Sequence, residues 1–92
     1  MNKIYVGDYG TQIELETDFF ISEGSQVQIM ALRPDGLTDA WTAEFLDTKV
    51  IYVTQSGDIA LDGMWYLQAY VHNSSGTRSG ETVPLYISPA FQ

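Results

Sequence analysis

Met64-Trp65-Tyr66-Leu67-Gln68-Ala69-Tyr70-Val71-His72 alternates without a break. Successive side chains of a β-strand point to opposite faces, so Trp65, Leu67, Ala69 and Val71 share one side while Tyr66, Gln68 and Tyr70 share the other. The first set is apolar enough to be core, which makes this stretch a strand with one buried face. Asn73-Ser74-Ser75-Gly76 then turns the chain, and Thr82 to Ser88 returns beside it with Val83, Leu85 and Ile87 inward. Asn73 to Gly80, rich in Ser and Gly, reads as the most mobile segment.

Working outward, the same period-two signal recurs. Ser25 to Arg33 is a strand with Val27, Ile29 and Ala31 on one face and Gln26, Gln28, Met30 and Leu32 on the other. Pro34-Asp35-Gly36 ends it: proline presets φ, aspartate bonds its own backbone, and glycine accepts positive φ. Trp41, Ala43 and Phe45 alternate with Thr42 and Glu44, which reads as one strand returning as the hairpin partner. Lys49 to Thr54 is a β-branched strand, and Gln55 to Gly63 is a longer crossing segment. Towards the start, Lys3 to Val6 is a short peripheral strand, and Thr11 to Glu16 places Ile13 and Leu15 on one face. Asp18-Phe19-Phe20-Ile21 is a compact apolar run that accommodates at most a short helical turn. No window keeps a helical period for ten residues, so a parallel α/β arrangement has no crossover helix to use.

About seven short strands with turns every ~8 to 12 residues make the chain an antiparallel β-sandwich, with a small closed barrel as the competing all-β arrangement. At 92 residues it is one domain, 1–92. The absence of cysteine excludes disulfide scaffolds, zinc–cysteine sites and thiol catalysis. Twelve acidic side chains against four basic ones give a net charge of -8, which argues against nucleic acid and anionic membranes as partners. Neither a targeting segment nor a membrane-length apolar run is expected from the start of the chain.

The corner before the decisive strand is more specific. In immunoglobulin-like sandwiches an apolar residue, a glycine and an aromatic, each two apart, lead into the sixth strand, and Leu61, Gly63 and Trp65 resemble that corner. The pattern normally carries a tyrosine whose hydroxyl reaches the backbone, whereas Trp65 offers an indole N–H. The inter-sheet cysteine pair is missing too. The expectation is an Ig-like sandwich, not an antibody-type domain.

Lys3-Ile4-Tyr5-Val6-Gly7-Asp8-Tyr9-Gly10-Thr11, Arg33-Pro34-Asp35-Gly36 and Gly63-Met64-Trp65-Tyr66-Leu67-Gln68-Ala69-Tyr70-Val71 resemble segments of small cysteine-free β-sandwich virion proteins of tailed bacteriophages and prophages. That resemblance implies a non-enzymatic structural protein, made in the host cytoplasm and resident in the virion, with no cofactor and no catalytic residues. Its partners would be other virion proteins in symmetric multiple copies, at the tail, baseplate or fibre-attachment region. Capsid decoration on the head surface is the alternative. The charge of -8 then suits an outer surface away from packaged DNA.

Among individual residues, outward Tyr66, Tyr70 and Tyr86 form a candidate interface patch, because tyrosine joins a large contact area to a polar tip. Phe91 is a further candidate contact, either tucked into its own sandwich or inserted into a neighbour. Pro84 lacks a ladder donor and suits an edge or a bulge. A reading from another class is a carbohydrate- or receptor-binding module using these tyrosines on a host-surface glycan, with Trp41 as a further stacking residue if its face is reversed. His72, the only histidine, has Ser74 and Ser75 nearby but no nucleophile elbow, and reads as a strand-end residue at the rim. Asp58 with Asp62, Asp35 with Asp39, and Glu14, Glu16 and Asp18 supply oxygen donors, yet no calcium-loop run links them. They read as solvated faces and turn residues, and no metal site is assigned.

Overall fold

The strand with the unbroken alternation is the central one of the larger sheet. In the computed structural model, which describes residues 3–91, it is the seventh strand in chain order. The strands are β1 (Ile4–Tyr5), β2 (Gln12–Glu16), β3 (Gln26–Leu32), β4 (Thr38–Thr42), β5 (Glu44–Leu46), β6 (Lys49–Val53), β7 (Gly63–Asn73) and β8 (Gly76–Ser88). β7 pairs antiparallel with β3 on one side and β8 on the other. Trp65, Leu67, Ala69 and Val71 are all buried, as the alternation requires.

The order β1-β8-β7-β3-β4 makes a five-stranded sheet, and β2-β6-β5 a three-stranded one. In an Ig-like sandwich the third, sixth and seventh strands share one sheet and the first, second, fourth and fifth the other. β3, β7 and β8 here stand for the first group, and β2, β5 and β6 for the second. β1 instead joins the larger sheet by a parallel pairing to β8, and β4 is an added strand at its other edge. The expected all-β Ig-like sandwich is therefore the fold. Its single core lies between the sheets, with Ile29, Val50, Trp65, Leu67 and Ile87 each at most 1% exposed. Met1, Asn2 and Gln92, the ends of the expected domain 1–92, lie outside the described residues.

Three local expectations are corrected. Residues 38–46 are two strands, not one, so the described residues hold eight strands. β4 returns beside β3, and the chain then crosses at Ala43, whose N–H donates to the Val27 carbonyl (3.1 Å), and β5 joins the other sheet. Alternation of Trp41, Ala43 and Phe45 survives the crossing because all three still face the core, which is why the sequence conceals it. Next, Asn73 to Gly80 is no loose loop: β8 begins at Gly76, and Thr77, Arg78 and Ser79 pair with His72, Val71 and Tyr70. Val83 holds the inner register opposite Leu67 but is 39% exposed, because three strands do not cover five. Residues 18–24 hold no helical turn; there Ile21 is buried in the core and Phe19 packs partly against it.

The corner is built as its residues suggest. The Trp65 indole Nε1–H donates to the Leu61 carbonyl at 3.0 Å, so tryptophan supplies the backbone bond that a tyrosine hydroxyl would otherwise make. Gly63 adopts φ 120°, and a Cβ there would stand 3.2 Å from both Cβ and Cγ of Pro34. Glycine is needed for both reasons.

Candidate interaction face

The outward side of the five-stranded sheet follows directly from register. Leu32, Tyr66 and Pro84 lie in one cross-strand row, with Met64 opposite Tyr86 beside it. The next rows are Ala40, Met30, Gln68 and Thr82, then Thr42, Gln28, Tyr70 and Ser79. Gln26, His72 and Thr77 close the far end. Among the described residues no Asp, Glu, Lys or Arg occupies an outward register position on β3, β4, β7 or β8. In those strands Asp39 and Arg78 take inner registers opposite Ala31 and Val71, and Glu81 sits at the bulge on the open edge of β8.

This face is also graded along the strands. Leu32, Met64, Tyr66 and Tyr86 are 42 to 52% exposed and form an apolar end with Pro84. Gln26, Gln28, Gln68, Tyr70, His72 and Thr77 make the other end polar but uncharged. Gln68 Nε2 donates to the Gly80 carbonyl (2.8 Å), and His72 Nδ1 lies 2.9 Å from Thr77 Oγ1.

Of the expected patch, Tyr66 and Tyr86 come together, since Tyr86 is the diagonal neighbour of Tyr66 through Pro84. Tyr70 does not join them: it lies four residues along β7, beyond Gln68, and is half-buried. Phe91 does not tuck into the sandwich. It is fully exposed with φ 66°. Leu32 and Met64 were not anticipated as part of the patch, because strand alternation shows that Leu32 points outward but not that it stands beside Tyr66. Trp41 is buried and stacked on Tyr52 (centroids 5.0 Å apart), so it is not an exposed sugar platform. Pro84 lies on β8 beyond the two residues that β1 covers, on an open edge as expected.

Several of the acidic residues are bonded within the fold. Asp35 and Asp39 lie 2.7 and 3.6 Å from the Arg33 guanidinium, and Asp35 Oδ1 also accepts the Leu37 N–H. Asp58 accepts the Gln55 N–H (2.7 Å) and the Tyr52 hydroxyl (2.5 Å). Burial, followed by this bond and the Asp58 charge, pushes the Tyr52 hydroxyl up to about 12. The Asp18 backbone N–H, 3.0 Å away, holds the Glu16 carboxyl below its usual value, aided by Thr48 and Lys49. Among the described residues no three His, Cys, Asp or Glu side chains converge as metal ligands, and no helix is long and apolar enough to cross a membrane. One depression lies off the face at the loop end, where Arg78 stacks 4.0 Å over Phe19 beside exposed Phe20; another, beside Ala43 at the sheet crossing, reaches onto the face through Gln26, Gln28 and Thr42. Comparison with known proteins adds no relative: no family model, curated protein or solved structure matches the chain.

Proposed function

We propose that this chain is a non-enzymatic structural component of a tailed-phage virion, and that it docks through the outward face of its five-stranded sheet. The observation that carries the reading is a face without charge on a chain of net charge -8. Solvation and solubility favour charge on any face that stays in water, so an uncharged face with an apolar end suits one that becomes covered. The sequence resemblance, which covers nearly the whole chain, supports the virion setting, with the tail, baseplate or fibre-attachment region as the location and the head surface as the alternative.

Purified particles carrying a Tyr66→Asp variant test this. The expected result is a folded variant lost from particles that contain the wild type. A wild type absent from particles, or a variant incorporated equally well, overturns it.

One feature favours a second reading, a glycan-binding module: Gln26, Gln28, Tyr70 and His72 line a shallow depression at the polar end of the same face. Amide donors and acceptors beside an aromatic ring suit sugar hydroxyls. Glycan-array binding that disappears in Tyr70→Ala would favour it over docking.

A further inference from the structure

We infer that the partner across the uncharged face is a second copy of this chain, packed face to face about a twofold axis running along β7. The inference rests on the docking reading and names its partner. Electrostatics makes the choice. A basic partner would be drawn to the carboxylates, which crowd the other sheet and the loops, and would gain nothing from this face. Two copies at -8 each repel one another on those charged surfaces. On the five-stranded face they approach with no charged side chain at an outward register position of β3, β4, β7 or β8.

The composition of the face is also self-complementary. Carboxylates only accept hydrogen bonds and ammonium groups only donate, so such surfaces cannot pair with themselves. Amides and hydroxyls do both, and Gln26, Gln28, Gln68, Thr42, Thr77 and Tyr70 are of those kinds. A twofold axis along β7 keeps like rows together. The Leu32–Tyr66–Pro84 row then meets its own reverse, Tyr66 against Tyr66 and Leu32 against Pro84, while the amide end meets the amide end. An axis across the strands would instead set the apolar end on the polar one. Two sheets so stacked align within about 30°.

The size is adequate. Four strands about 4.8 Å apart, followed over Met64 to His72 at about 3.4 Å per residue, cover roughly 500 Å² in projection. Side-chain relief raises the accessible area towards the ~800 Å² per partner of a standard interface.

Sedimentation equilibrium of the isolated chain over a concentration series reads the result. Wild type should sediment at twice the chain mass. Tyr66→Asp should raise the dissociation constant at least about 100-fold while keeping a native Trp fluorescence spectrum, because two carboxylates would face across the axis. Leu46→Asp, on the other sheet, should change it less than twofold. Mixing Tyr66→Asp with Tyr66→Lys should restore a dimer, since the two residues meet at the axis. A wild-type monomer at every concentration, or a dimer indifferent to Tyr66→Asp, overturns the inference. If the wild type is monomeric yet Tyr66→Asp is still shut out of particles, the docking reading stands with a different partner. If Tyr66→Asp enters particles normally, the docking reading itself falls.

Discussion

The two sheets share one core and differ in what they show to water. Outward on the three-stranded sheet stand Gln12, Glu14, Glu16, Glu44, Leu46, Lys49, Ile51 and Val53. Glu14 bonds Gln12 Nε2 (2.9 Å) and lies 3.7 Å from Lys49 Nζ, in an exposed network of the kind that adds solubility more than stability. The five-stranded sheet shows amides, hydroxyls, methionines and tyrosines. Both sheets obey the same alternation, so the strand rule does not create the difference. It lies in which polar residues fill the outward positions: charged ones where the surface stays wet, neutral ones where a neighbour is proposed to sit.

The largest expected effects show that the contrast is confined to the outer faces. Trp65→Ala, from the larger sheet, should cost about 3–5 kcal/mol, and Leu15→Ala, from the smaller, about 2–5 kcal/mol. Urea unfolding monitored by circular dichroism measures both. If Leu15→Ala were nearly neutral, the sheets would not share one core. Gly63→Ala follows at roughly 1–3 kcal/mol, from positive φ and the Pro34 contact together.

The next test concerns the join between the sheets, where Trp41 of β4 stacks on Tyr52 of β6. The Tyr52 hydroxyl is raised from 10 to about 12, so the fold favours its neutral form. That contribution is in full below the unfolded value of about 10 and is lost as pH rises towards the folded one. Thermal melts between pH about 9 and about 12 should therefore fall more steeply for wild type than for Tyr52→Phe. Parallel slopes would show that the Tyr52 hydroxyl does not link folding to alkaline pH.

The smallest effects bear on the comparison itself. Thr82→Glu and Leu46→Glu each add one carboxylate, one per outer face, at exposed positions. Both should leave unfolding free energy within about 0.5 kcal/mol of wild type. Only Thr82→Glu should reduce association, measured by light scattering. Equal reductions would erase the distinction between the faces.

Much of this was legible in the sequence, for local reasons. The alternation of β7 and β3 gave inner and outer sides, Pro34-Asp35-Gly36 gave the hairpin, and Leu61, Gly63 and Trp65 gave the corner. Register was not legible, because cross-strand pairing is set by residues far apart in the chain. Alternation alone therefore groups Tyr70 with Tyr66 and Tyr86 and does not set Leu32 and Met64 beside them. The crossing at Ala43 is hidden because it leaves alternation intact. Val83 reads as core because sequence does not reveal how far the opposite sheet extends. The missing charge on one face emerges only when four strands are laid side by side.

Side-chain footprinting by hydroxyl radicals, with protein concentration raised through the association range, tests the central claim most directly. Met64, Tyr66 and Tyr86 should become protected together, while Leu46 and Val53 on the three-stranded sheet keep their reactivity. Protection of Leu46 and Val53 instead, or no change at Met64, Tyr66 and Tyr86 as the chain associates, would contradict the assignment of the uncharged sheet as the interaction face.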